Sequence, residues 1–178
     1  MAATGIGYVG DRYTLFFTGD GSDGLGKEEL LGECSEFTPP AIVRRTEDRV
    51  NGLGFTQAQI LGYEKVECTY VVESIRPNLF KLLGEQKTCE FLRNLKTLSD
   101  PENVIEKYVV TGDIISVVPS ASSPDGISNN TVTMSVRNFK HYFDDEVVEE
   151  FNMDTGVVKI GTTDIEQAKR ASLGLTVG

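Results

Sequence analysis

From Glu64 to Glu73 the residue character changes sides at nearly every step, with Val66, Cys68, Tyr70 and Val72 opposing Lys65, Glu67, Thr69 and Glu73. Side chains alternate faces along a strand, so this pattern specifies a β-strand with one buried face. Further strand-like runs are Tyr13 to Thr18, Thr88 to Leu98, Val104 to Val118, Thr131 to Phe143, Glu146 to Asn152 and Val157 to Ile160, many of them rich in Val, Ile, Thr, Tyr and Phe. Strand follows strand through turn-forming residues with no βαβ rhythm, which points to a mainly β, antiparallel fold. Within Thr131 to Phe143 the apolar positions Val132, Met134 and Val136 switch parity to Phe139 and Phe143. A bulge near Asn138 accounts for the switch and implies a bent strand that changes partners.

Two segments read as helix. Ile75 to Leu83 has Pro77 suited to a first turn and Gly84 suited to its end; Thr163 to Leu173 has Ile165, Ala168 and Leu173 on a shared face and Thr163 with Glu166 as a capping box. Residues 19–32 and 119–130 read as polar, Gly- or Ser-rich loops. Residues 39–54 are extended in character yet highly charged and alternate poorly, which suits an arm better than a core strand.

At 178 residues the chain can bury one good core and is too short for two ordinary domains, so residues 1–178 are read as a single domain. A formal charge of −10 sets the summed field against a nucleic-acid backbone, whose capture needs clustered Lys and Arg. No stretch approaches the roughly 20 apolar residues of a membrane span. The start, Met1-Ala2-Ala3-Thr4-Gly5, lacks the basic and apolar regions of a signal peptide, and the expectation is a protein made in the cytoplasm without membrane insertion. Cys34, Cys68 and Cys89 are odd in number and widely spaced, which fits buried free thiols rather than a disulfide framework or a zinc site.

Chemistry-bearing motifs are sparse. Gly19 to Gly24 fits G-x-G-x-x-G and Gly21 to Lys27 begins a phosphate loop, but Glu28 stands where Ser or Thr would hold magnesium, and Asp20 and Asp23 would face the phosphates. The same aspartates lack the alternating ligand set of a calcium loop. His141 is the one histidine, and neither a nucleophile motif nor a metal-ligand pair accompanies it. No catalytic set and no cofactor are therefore expected.

The segment Asn138 to Asn152, continued by Thr163 to Leu175, resembles the end of the major tail tube proteins of contractile phages and R-type pyocins, with Arg170-Ala171-Ser172-Leu173-Gly174-Leu175 matching the family's closing Arg-x-x-Leu-Gly-Leu. Upstream, Phe37 to Arg49 resembles the family's Leu-Pro arm with its Thr-Glu-x-x-Arg core, and Asn51-Gly52-Leu53-Gly54 takes the place of a Gly-Gly-Met-like turn. Leu61-Gly62-Tyr63-Glu64 and the Leu83-Gly84 helix end keep the family's order. Two departures stand out: residues 19–32 are longer than the family's compact front hairpin, and Asp144-Asp145 replaces its usual glycine turn.

The resemblance implies two packed antiparallel sheets forming a β-sandwich or barrel with a flanking helix, the fold shared with type VI secretion tube proteins. It implies a structural subunit of a virion tail, assembled in the bacterial host cytoplasm as homo-hexameric rings that stack into a conduit for DNA ejection. Its partners would be sheath, baseplate and tape-measure proteins, and DNA that passes without tight binding. Arg44, Arg45, Thr46, Glu47, Asp48, Arg49 and Leu53 would then lie between subunits. Lys65, Glu67, Thr69 and Glu73 are lumen candidates, although an ordinary solvent face fits their parity equally well. Two alternatives stay open: a tube of a protein-delivering contractile injection or type VI machine, and, from a different class, a small β-barrel ligand-binding protein or enzyme, which would need a convergent polar constellation.

Overall fold

A computed structural model describes residues 8–18, 28–50, 52–73, 80–97, 103–120 and 129–174. The strands are β1 (Tyr8–Gly10), β2 (Tyr13–Thr18), β3 (Glu28–Thr38), β4 (Arg44–Val50), β5 (Thr56–Tyr63), β6 (Glu67–Glu73), β7 (Gln86–Thr97), β8 (Asn103–Pro119), β9 (Asn129–Phe143), β10 (Glu146–Asn152), β11 (Val157–Ile160) and β12 (Thr163–Asp164), followed by helix α1 (Gln167–Ser172). Antiparallel pairing runs β2 to β3, β6, β9, β8, β7 and back to β2, closing a six-stranded barrel. The two expected sheets are opposite walls of this one closed surface.

Alternation supplies the barrel's interior. Cys68, Tyr70 and Val72 of β6, Cys89 and Phe91 of β7, Val110 and Ile114 of β8, and Val132, Met134, Val136 and Phe139 of β9 are all buried in one cluster with Leu15 of β2. Phe37 stacks on Phe91 at 4.0 Å, and Tyr70 meets Phe91 edge-on at 5.2 Å. Apolar area withdrawn from water in this way is the main favourable term for folding.

The parity switch in β9 is a bulge, as the sequence indicates. Thr111 pairs with Asn138 but Gly112 pairs with Val136, leaving Arg137 as the extra residue. Here β9 exchanges partners on one edge: residues up to Ser135 pair with β6, and Asn138 onward pairs with β10. β10 continues through β11 to β12, a small sheet that leads into α1. Between β9 and β10 the chain turns on Asp144 and Asp145 alone, with φ of 51° and 62°. Left-handed conformation at both central residues is the twist that suits a two-residue hairpin, and short polar Asp tolerates it where glycine would be easier. Asp144 also donates its N–H to the Ile105 carbonyl at 3.0 Å, tying the turn to β8.

Several expectations need correction. Residues 28–32, read as loop, belong to β3; residues 19–27, 74–79 and 121–128 lie outside the described residues. The expected helix over Thr163–Leu173 is shorter, because Thr163 and Asp164 pair with Ile160 and Lys159 as β12. No side chain caps α1; instead Asp164 Oδ1 accepts the Glu166 N–H at 3.2 Å, so the capping box at Thr163 is absent. Of the earlier expected helix, Phe80 and Lys81 are helical and Gly84 follows with φ of 83°.

Gly112 lies directly against the β9 backbone in the barrel wall. A Cβ there would lie 2.1 Å from the Ser135 carbonyl oxygen and 3.0 Å from Val136 Cα, backbone atoms fixed by the ladder. Gly112→Ala is expected to destabilise the fold by about 2–3 kcal/mol or abolish it. Gly52→Ala, where nothing lies within 4 Å, should stay within roughly 0.5 kcal/mol of wild type. Urea unfolding of both variants checks the contrast.

Candidate assembly interface

Strands β4 and β5 pair only with each other, with Arg44 opposite Tyr63 and Val50 opposite Thr56, and stand apart from the barrel. Every residue of β4 is exposed, and β5 is exposed from Thr56 through Leu61. This is why the arm alternates poorly: neither face is buried within one chain, so no period of two is imposed. The structure brings Arg44, Arg45, Thr46, Glu47, Asp48 and Arg49 together on one strand, with Leu53 in the turn beyond it. Large apolar groups crowd the same hairpin. Leu53 is 83% exposed and Phe55 69%, and Val50, Ile60 and Leu61 are exposed as well. Contiguous exposed apolar surface framed by charge is the signature of an interaction site, and a two-stranded ribbon gains little stability by itself.

The hairpin is anchored at its base. Glu64 N–H donates to the Val43 carbonyl at 2.8 Å, and Tyr63 Oη donates to Glu166 Oε1 at 2.5 Å, joining β5 to the segment before α1. On α1 it is Arg170, not the expected apolar face, that turns inward: its guanidinium donates to the Gly156 carbonyl at 3.0 Å and grips both oxygens of Asp164. Those hydrogen bonds, Arg170's foremost, hold the Asp164 carboxyl below its ordinary range. Consequently Ile165, Ala168 and Leu173 stay exposed. Between β10, β11 and α1 lies a cavity of about 280 Å³ walled by Tyr63, Phe151, Met153, Val158 and Leu173, with Glu64, Glu166 and Lys169 at its rim.

Of the lumen candidates, Glu67 and Thr69 lie on the barrel's outward face, and Lys65 precedes β6. Lys65 is exposed and its Nζ lies 2.9 Å from Glu67 Oε1; Glu67 and Thr69 are half-buried, opposite in parity to the core positions. Glu73 continues β6 opposite Asn129. Across the ladder, Glu67 and Thr69 face Ser135 and Thr133, so this wall is rich in short hydroxyls. Asp113, opposite Ser135, pairs with Arg137 at 3.2 Å.

His141 belongs to a buried polar network centred on Glu106. Its Nε2 lies 3.1 Å from Glu106 Oε1 and its ring stacks on Tyr108 at 4.0 Å, while Tyr13 Oη donates to Glu106 Oε2 at 2.8 Å and Arg93 Nε donates to the same oxygen. Burial alone would raise the Glu106 carboxyl, but the hydrogen bonds from His141, Arg93 and Tyr13 outweigh it and lower its pKa to about 2. Desolvation, reinforced by Glu106, pushes the Tyr13 and Tyr108 hydroxyls up. A carboxylate that stays ionised at neutral pH and is fully engaged is a poor proton shuttle, and what it does well is pin β2, β7, β8 and β9 together. The thiols are equally quiet: burial pushes Cys34 and Cys68 to about 12, and Cys89 upward too. Among the described residues no group of His, Cys, Asp and Glu is arranged to hold a metal. No described helix is long and apolar enough to cross a membrane.

Sequence reasoning did not single out Glu106 or the inward turn of Arg170. An acid sharing the apolar parity of Tyr108 and Val110 was the available signal for Glu106; the closing arginine motif drew attention to Arg170 without its direction.

The family model described as phage tail tube protein FII matches residues 25–174. No curated protein matches the sequence. Among solved structures, the chain is similar to one in the six-fold symmetrised baseplate of the anti-feeding prophage, with a TM-score of 0.50 at 8% identity, covering 80% of this chain and 97% of that one. A chain of the sheath–tube complex of an extracellular contractile injection system in the extended state gives 0.49 at 12% identity, covering 74% and 88%. Hcp1 from Salmonella typhimurium gives 0.44 at 18%, covering 84% and 100%. Identities this low speak to fold alone.

The Glu106 network predicts a pH dependence. Since the folded carboxyl ionises at about 2 rather than at the ordinary 4.5, its contribution is whole above pH 4.5 and is lost as the pH falls toward 2. Glu106→Gln should lower unfolding free energy by roughly 3 kcal/mol at pH 7, and the gap to wild type should narrow steadily below pH 4.5. Denaturant titrations across that range measure it.

Proposed function

The chain belongs to the phage tail tube protein FII family, and from that premise we propose that it is the repeating subunit of a contractile phage tail, built as hexameric rings that stack into a conduit for DNA ejection. The observation that carries the reading is the β4–β5 hairpin, a ribbon exposed along β4 and most of β5 and dense in both charge and apolar side chains. Such a ribbon is a liability in a monomer and an asset in a polymer, where other copies cover it. The likeness to a chain from a six-fold symmetrised baseplate is consistent with six copies per ring.

In this reading residues 1–178 act as one tube domain, and Arg44, Arg45, Thr46, Glu47, Asp48, Arg49 and Leu53 sit at contacts between subunits. Charged pairs there set register and partner choice more than raw affinity. Sheath, baseplate and tape-measure proteins are the further partners, with assembly in the host cytoplasm. The outward wall bearing Glu67 and Thr69, with Lys65 before β6 and Glu73 at its end, faces the lumen. A formal charge of −10 opposes phosphate capture, and the Lys65–Glu67 and Asp113–Arg137 pairs leave that wall locally near neutral. A surface of short hydroxyls and paired charges gives passing DNA few places to release counterions and stick.

Purified protein is expected to form rings or tubes in negative-stain images as concentration rises, with baseplate seeds where nucleation is slow. Arg49→Glu and Glu47→Arg should each cut tube yield several-fold while leaving circular dichroism and thermal melting near wild type. Persistent monomers with and without seeds would contradict the proposal, and normal tubes from both variants would remove the hairpin charges from the contact.

A further inference from the structure

We infer that the cavity beside α1 is the receptor for the hairpin tip of a second copy of this chain, with Leu53 and Phe55 as the groups that enter it; the inference rests on the self-assembly reading and adds to it the site on the other side of the contact. The cavity's size selects this kind of occupant. At about 280 Å³ it falls at or below the roughly 300–1,000 Å³ of small-molecule sites and holds one or two large side chains. Its walls are Tyr63, Phe151, Met153, Val158 and Leu173, an apolar lining open on one side, and Leu173 and Met153 are themselves exposed.

The chain's own tip does not line it. Tyr63 lines the cavity and pairs with Arg44 at the hairpin base. Seven residues of β4 at about 3.4 Å each put the turn roughly 24 Å along the ribbon from that base. Charge matches across the joint. Arg49 flanks the tip and Glu64 stands on the cavity rim as its counterpart, beside Glu166 and Lys169, which lie 3.7 Å from each other. Tip and cavity are different patches of one surface, so the contact is head to tail. Repetition of such a contact closes into a ring or propagates along an axis.

The test co-assembles Leu53→Cys and Met153→Cys chains into tubes under mild oxidation, the three native thiols being buried. A disulfide joining the two variants, absent when either is assembled alone, is the expected result. Met153→Arg, at an exposed position, should melt like wild type yet lower tube yield at least tenfold. Tubes that form from the cysteine variants without a cross-link, or normal tubes from Met153→Arg, would overturn the tip-in-cavity contact and leave the tube reading standing. An unmodified chain that never assembles would overturn both.

Discussion

One edge of β9 serves two partners, and the rest of the structure depends on how that conflict is resolved. Up to Ser135 the edge holds β6 and closes the barrel; from Asn138 it holds β10 and starts the small sheet that leads to α1. The bulge at Arg137 shifts the ladder by one residue between these roles, so Val136 and Phe139 both point inward although their spacing is odd. The backbone of β9 must then pass against β8 where Gly112 has no side chain. A Cβ there would meet a carbonyl oxygen that cannot move without breaking the wall. The close approach at this glycine coincides with the bulge and with the exchange of β6 for β10 along β9.

The barrel and the hairpin solve opposite problems with the same local geometry. Closure leaves the six barrel strands with no free edge over the paired residues, and the Glu106 network ties four of them by charge as well as by packing. In the hairpin, β4 and β5 have only each other, and their apolar groups face water. Anchors at the base, Tyr63 to Glu166 and Glu64 to Val43, hold this ribbon to the rigid body without burying it. A stable platform carrying an under-satisfied arm suits a subunit whose folding is complete before its assembly begins.

How much of this could be read from sequence follows from where a single chain buries its surface. β6, β8 and β9 were legible because one face of each is core, and the bulge was legible as a parity break. β3 was not: Leu31 and Glu29 are unmatched against β2 and Ser35 against β6, so three irregularities scramble its alternation. β5 was missed for the reason the arm looked irregular, since exposure on both faces removes the period. Glu106 gathers Tyr13 and His141 from 93 and 35 residues away, a convergence that only the closed topology creates. The helix at the end was overextended because Thr163 and Asp164 found a strand partner in β11, a tertiary choice that local propensity does not record.

The central claim is that folding is complete in the barrel while the exposed hairpin is the contact proposed for another copy. Amide hydrogen exchange, compared between the free chain and assembled tubes, tests it most directly. The account predicts slow exchange through β6, β8 and β9 in both states, and rapid exchange across Arg44–Val50 and Thr56–Tyr63 in the free chain that becomes at least tenfold slower in tubes. Hairpin amides that exchange equally fast in the free chain and in intact tubes would contradict it.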